Sequence, residues 1–291
     1  VSRPCALVVD SGAVLAHPLP AGTTVVPLRI VFGGEVLRDG IDITAESFYA
    51  RLESGEVPTT STPSPGEYLE AFRDCDAQSD IVCLTIPSTL SAMYESATLA
   101  ARLLEESGDT RTVHVVDTGN AAAGFGLVAR AAACLVAAGA SAAEVLGRVE
   151  QAREEVTMLG SLRTLTYLAR SGRVPALIAG VTTLLGVHPI FELSKGEARR
   201  LAIVRGDRRT VRGLQKCAQE LLPAGTPIWL AVFHSGVPEQ AAALRDALHQ
   251  VLEVGRSETI ALSPVMGAYT GPGMTGFAAM PLRGAELGEV P

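Results

Sequence analysis

The sequence contains no H-E-x-x-H, no G-x-S-x-G and no Walker A motif. Their absence removes the local signatures of a zinc peptidase, a hydrolase nucleophile elbow and a P-loop. Its five cysteines, Cys5, Cys75, Cys83, Cys134 and Cys217, include no closely spaced pair. An odd, scattered set fits neither a disulfide framework nor a metal site and reads as small buried hydrophobes. Positive charge is in deficit: Lys and Arg number 24 against 31 Asp and Glu, a net charge of −7. No basic cluster is interleaved with aromatics, which argues against nucleic acid as a partner. The densest basic run, Arg199 through Arg212, reads as a solvated face, with partner docking as the alternative.

Long unbroken apolar runs are also missing. Val174 to Phe191 has His188 as its one ionisable group, but Pro175, Gly180, Gly186 and Pro189 interrupt it. Thr259 to Leu282 contains Pro264, Pro272, Pro281 and several glycines. Neither reads as a membrane-spanning helix; both read as buried soluble structure or as walls of an apolar cavity. The opening apolar run, Cys5 to Val9, meets Asp10 at once and reads as a first strand rather than a signal peptide. The expected location is cytoplasmic, with no integral membrane segment and at most transient membrane contact.

What is present is enough apolar material for a large core: 47% hydrophobic and 19% charged residues over a length of 291. Strand patterns at Ala6–Val9, Thr24–Val31, Asp80–Ile86 and Thr112–Val116 alternate with helical ones. Helices are expected after Thr44 and Ser64, over 90–106 and 121–138, and from Ser141 to Glu155. In the second half, short helices are expected at Leu165–Arg170 and Pro175–Leu185. Strands at Val187–Leu193 and Arg199–Val204 follow, joined by a Lys195-Gly196 hairpin. A helix over 210–222, a strand at Ile228–Phe233, a helix over 238–251 and strands at Thr259–Leu262 and Phe277–Met280 complete the chain. The expected fold is α/β with two domains and a ligand between them. One is an N-terminal parallel-sheet domain over 1–157, the other a C-terminal mixed-sheet domain over 158–291.

Two segments stand out chemically. Gly267-Ala-Tyr-Thr-Gly-Pro-Gly-Met-Thr-Gly276 puts four glycines, a proline and two threonines into ten residues. It reads as a loop that brings a ligand close to main-chain N–H groups. Pro58-Thr-Thr-Ser-Thr-Pro-Ser-Pro65 is a second hydroxyl-rich loop. Gly271 to Gly276 matches G-x-G-x-x-G, but too little chain follows for the crossover helix and acidic residue of a dinucleotide site. The remaining constellation is Thr59, Thr60, Ser61, Ser88, Ser91, Thr118, Tyr269 and Thr270. These are hydroxyls without an obvious base, suited to holding a carboxylate or phosphate; each alone also reads as a cap or turn residue. His114 and His249 read as structural, whereas His234 ends a strand beside a loop.

Taken in order, these segments resemble the DegV family of bacterial proteins that bind a long-chain fatty acid. The resemblance runs through Val9-Asp10-Ser11, Val26-Pro27-Leu28, Phe32-Gly-Gly-Glu35, Arg38 to Thr44, Pro58 to Ser61 and Pro63 to Glu67. It continues through Ser88-Thr-Leu-Ser91, Val115-Val-Asp117, Thr164-Leu165, Gly172-Arg173, Pro189-Ile190, Val204-Arg205 and Gly267 to Gly273. It implies an acyl chain enclosed between the two domains, its carboxyl held by Thr60, Ser61, Ser91 and the loop with Tyr269 and Thr270. It also implies that Arg173 and Arg205 serve the head group or a partner-facing surface. The chain is then no enzyme and has no cofactor: it is a carrier presenting the acid to a fatty acid kinase that makes acyl phosphate for phospholipid metabolism. The sequence departs from the family at Tyr269, where a His is usual, at Ala92-Met93, where Gly-Thr is frequent, and at Ser171, in place of a glycine. Tyr269 offers a neutral hydrogen bond where His can carry charge, so the head-group site should depend less on pH. The alternatives are an enzyme acting on a small carboxylate, an acyl ester or a dihydroxyacetone-like substrate, and a structural protein without a cavity.

Overall fold

A computed structural model describes residues 3–15, 21–173 and 186–287. The helix expected at Pro175–Leu185 lies outside these residues. The chain begins with strand β1 (Cys5–Asp10), followed by β2 (Thr23–Val26), β3 (Arg29–Phe32), β4 (Glu35–Arg38), helix α1 (Ala45–Glu53) and β5 (Thr59–Ser61). Next come α2 (Pro65–Asp74), β6 (Asp80–Thr85), α3 (Met93–Glu106), β7 (Val113–Asp117), α4 (Ala122–Ala137) and α5 (Ala142–Glu155). Then come β8 (Thr157–Ser161), α6 (Thr166–Ser171), β9 (Val187–Ser194), β10 (Glu197–Arg205) and α7 (Asp207–Leu221). The chain ends with β11 (Ile228–His234), α8 (Pro238–His249), β12 (Val254–Ala261), α9 (Pro264–Thr270) and β13 (Thr275–Pro281).

Among the described residues these strands form three sheets. β2-β1-β6-β7 is all parallel, β10-β9-β8-β13-β11-β12 is mixed, and β4-β3-β5 is a small antiparallel sheet. The α/β fold with one parallel and one mixed sheet is therefore the architecture of this chain, and Thr157 opens the first strand of the mixed sheet. The small sheet is a difference from the sequence reading. Pro27 breaks the single strand expected over 24–31, because proline cannot donate to a ladder. The chain turns there and pairs Arg29–Phe32 with β4 and with the Thr59–Ser61 stretch that reads as a loop.

The local signals account for most boundaries. Thr44, Ser64 and Ser141 each close a capping box at the start of α1, α2 and α5, and Pro65 takes the first helical position. Lys195 and Gly196 both take positive φ, 52° and 77°, as a two-residue hairpin turn requires. α4 is apolar nearly all round, and such a helix must be buried. It lies between the layers, packing on β1 on one side and on β8, β11 and β13 on the other. α7 and α8 cover the other face of the mixed sheet, over a separate core that includes Leu159, Ile190, Leu214, Leu244 and Phe277. Among the described residues no helix is long and apolar enough to cross a membrane, and no group of His, Cys, Asp and Glu could hold a metal ion.

Candidate functional site

The parallel sheet winds outward in both directions from β1, with β2 on one side and β6 on the other. Open α/β sheets take ligands in the crevice at such a switch point, beyond the carboxyl ends of the strands. Asp10 ends β1 there, fully buried. Its carboxylate accepts from the Gly12 N–H at 2.8 Å and from the Ile86 N–H at 2.9 Å. Burial pushes its pKa up to about 7, against the pull of those two N–H groups. Asp10 thus ties two loops together.

Ile86, just past β6, opens onto an apolar cavity. Among the described residues its wall comes from both halves of the chain: Leu90, Ala121 and Ala122 before β8, and Met158, Leu162, Leu168, Phe191, Leu193, Ala198, Leu262, Met266 and Met274 from β8 onward. Three of the five methionines of the chain line it. Methionine is unbranched and polarisable, and so conforms to an irregular apolar guest. Ser91, Arg173, Tyr269 and Thr270 supply the polar groups of the wall.

Arg173 and Tyr269 also line a neighbouring, more polar cleft, together with Pro58, Thr59, Thr60, Tyr167 and Arg170. These two residues therefore mark where the cavity meets the cleft. The Tyr269 hydroxyl is hydrogen-bonded to the Thr60 hydroxyl, joining α9 to β5. The Arg173 guanidinium lies 5.2 Å from the centroid of the Tyr269 ring, within cation–π reach. The Ser91 hydroxyl is 3.3 Å from that of Thr62. Ser91, Tyr269 and Arg173 thus border the apolar space, and Thr60 is tied to it through the Tyr269 hydroxyl. The arrangement offers neutral hydroxyls and one cation to an acidic head group, and no paired acid and base.

The other expected site residues are elsewhere or already occupied. Ser61 is exposed on β5 and lines neither the cavity nor the cleft. Thr270 borders the cavity, but its hydroxyl donates to the Met266 carbonyl at 3.0 Å, one turn back in α9. Arg205 is exposed at the end of β10 and lines neither space. Ser88 donates to Asp117 at 2.7 Å and Thr118 to the Thr85 carbonyl at 2.8 Å, so both hold loops. His234 ends β11 with Nδ1 buried and without a partner among the described residues; burial holds its pKa below the ordinary imidazole value. Thr62 is a neighbour of Ser91 that sequence reasoning passed over, although it belongs to the same hydroxyl-rich run.

The glycine-rich segment is not a ligand-cradling loop. Its first part is the C-terminal part of α9, and its last two residues open β13. The Gly271 N–H is bonded to the Gly267 carbonyl and the Gly273 N–H to the Ser235 carbonyl, so neither is free for a ligand. Close packing explains two of the glycines. A Cβ on Gly267 would lie 2.7 Å from Phe48 and 2.9 Å from the Tyr49 hydroxyl, so α9 can approach α1 only without one. Gly271 ends the helix at φ +66°, where a Cβ would also strike the Tyr167 ring at 2.2 Å. At the other end, the Val265 N–H donates to Asp39 at 3.0 Å. A carboxylate from the first half of the chain therefore caps the helix that carries Tyr269. Asp39→Ala should cost about 1 kcal/mol. Its signature is faster hydrogen exchange confined to the α9 amides; unchanged exchange there would mean the cap is not needed.

Comparison with known proteins places the family and the fold. The family description "Uncharacterised protein, DegV family" matches residues 4–282. The chain belongs to the DegV family. A DegV domain-containing protein of Streptomyces coelicolor is 33% identical over 281 residues, covering 95% of this chain and 98% of the relative. A DegV structure from Thermus thermophilus, described by its fatty acid binding, superposes with a TM-score of 0.86 at 31% identity, covering 96% of this chain and 100% of that one. A Thermotoga maritima protein whose structure is said to reveal a fatty acid binding function gives 0.81 at 26% identity, covering 96% of this chain and 100% of that one.

Proposed function

We propose that this DegV protein binds a long-chain fatty acid, with the acyl chain in the apolar cavity and the carboxyl group at Thr60, Ser91, Tyr269 and Arg173. One observation carries the reading: an apolar space built from both halves of the chain shares Arg173 and Tyr269 with a more polar cleft beside it. Burying a methylene contributes about 0.8 kcal/mol, so a dozen contribute about 10 kcal/mol before the cost of ordering the chain. The apolar wall can supply the affinity, and the head-group cluster needs only to orient the acid. Arg173 itself is exposed, so the carboxyl would lie within reach of a partner approaching along the cleft. We place a fatty acid kinase there, acting on the carboxyl to form acyl phosphate, with Arg205 on the partner-facing surface. We assign this chain the part of carrier, with no catalytic step of its own.

The test is native mass spectrometry of protein purified from cells. The expected result is a complex heavier than the chain by one fatty acid, lost on solvent extraction and restored by oleate or palmitate. A preparation that stays empty in all three conditions would refute the reading. Removing one neutral hydrogen bond costs about 1 kcal/mol, so Ser91→Ala, Thr60→Val and Tyr269→Phe should each weaken oleate binding roughly fivefold. No change in any of the three would mean that the carboxyl lies elsewhere.

A further inference from the structure

Two glycines face each other on the cavity side of the mixed sheet. Gly160 of β8 pairs with Gly276 of β13. On the outer side of Gly160 stands Phe191 of β9, and on the outer side of Gly276 stands Phe233 of β11. The row across four adjacent strands is therefore Phe-Gly-Gly-Phe. Glycine weakens a strand interior, where it gives up backbone entropy and offers no side chain to pack. Two in one row call for a reason, and it lies in what covers them.

A Cβ on Gly160 would sit 2.9 Å from the Met274 methyl and 2.9 Å from the Phe191 ring. Both residues line the apolar cavity. With no side chain at 160, the ring and the methyl settle down onto the backbone, as aromatic rings do over strand glycines. Gly276 differs: a Cβ there would meet the Leu159 carbonyl oxygen at 2.3 Å and the Phe233 ring at 2.4 Å. Backbone blocks position 276, whereas only side-chain ends block position 160. β8 is held on both sides by β9 and β13, so a side chain at 160 would be accommodated by Met274 and Phe191. The open space beside those two is the cavity.

We infer that Gly160 sets the cross-section of the cavity. By recessing Met274 and Phe191 it admits acyl chains with a cis double bond or a methyl branch as well as straight ones. The inference rests on the fatty-acid reading above and names the ligand class within it. An extended saturated chain tolerates a narrower passage; a bent or branched one needs the width that Gly160 leaves.

The experiment loads solvent-extracted protein with an equimolar mixture of palmitate, oleate and a methyl-branched C17 acid, and reads the bound species by native mass spectrometry. Wild type should take all three. Gly160→Ala should keep palmitate and lose oleate and the branched acid relative to it by roughly tenfold, the scale of one misplaced methyl group in a packed site. Adding Phe191→Leu to that variant should return the wild-type ratio. Phe191→Leu in the wild-type background should shift the ratio the other way, and this arm decides the matter if Gly160→Ala does not fold. A wild-type ratio in Gly160→Ala, or in Phe191→Leu alone, would overturn the role of Gly160 and leave the fatty-acid reading standing. A wild-type protein that takes none of the three acids would overturn both.

Discussion

Ala198→Trp is expected to empty the cavity while leaving the protein folded. Ala198 lies on β10, opposite Leu193 of β9, and both side chains line the apolar space. β10 is an edge strand of the mixed sheet, so its backbone can shift slightly to seat a larger side chain. An indole ring there takes the room of about four methylenes of the guest, at about 0.8 kcal/mol each. The loss is about 3 kcal/mol, or roughly 200-fold in affinity. The empty protein should be no less stable, because the ring fills space that otherwise lacks contacts. Native mass spectrometry of the purified variant, beside thermal unfolding of the extracted one, reads both effects. A full acyl load would show that the guest does not pass Ala198. A fall in the melting temperature without ligand would show that the space was already packed.

Where local chemistry decides structure, the sequence was legible. The continuous apolar run at Asp80–Ile86 is the buried strand β6, Ser64-Pro65 opens α2, and Lys195-Gly196 turns the hairpin. Gly267 to Gly276 misled because what makes its first part helical is distant. The cap on α9 comes from Asp39, 226 residues earlier, and Gly267 is fitted to Phe48 and Tyr49 of α1. No window along the chain contains those partners. The candidate site was legible in part. Hydroxyl runs and the family resemblance point to Thr60, Ser91 and Tyr269; Ser91 and Tyr269 border the cavity, and Thr60 is hydrogen-bonded to Tyr269. Ser61 and Thr270 come from the same runs, but Ser61 is exposed on β5 and the Thr270 hydroxyl is bonded within its own helix. The guanidinium–ring contact between Arg173 and Tyr269 links residues almost a hundred apart and depends on the fold alone.

Asp10→Ala is expected to be the most destabilising of these single changes. Asp10 accepts the N–H groups of Gly12 and Ile86, both buried. Alanine leaves both donors without a partner, at about 1–3 kcal/mol each, so the loss should be about 4 kcal/mol. For a chain of this size that lowers the melting temperature by roughly 10 °C. Because Ile86 lines the cavity, the variant should also lose acyl load in proportion as the Ile86 loop comes free. The pH dependence follows from the direction of the shift. Burial raises Asp10 from its ordinary value, about 4, to about 7, so the folded state disfavours the charged form. Its contribution is then fully present below about pH 4 and fades as the pH rises through about 7. Asp39, also raised by burial, adds a limb of the same sign. Urea unfolding at pH 5 and pH 8 should therefore find the wild type more stable at the lower value. Asp10→Asn should narrow that difference, since it removes the charge but keeps one of the two accepted bonds. Equal narrowing by Asp39→Asn alone would assign the pH dependence to Asp39. If Asp10→Ala unfolds like the wild type, the two N–H groups have found water, and the switch point is more open than the burial of Asp10 implies.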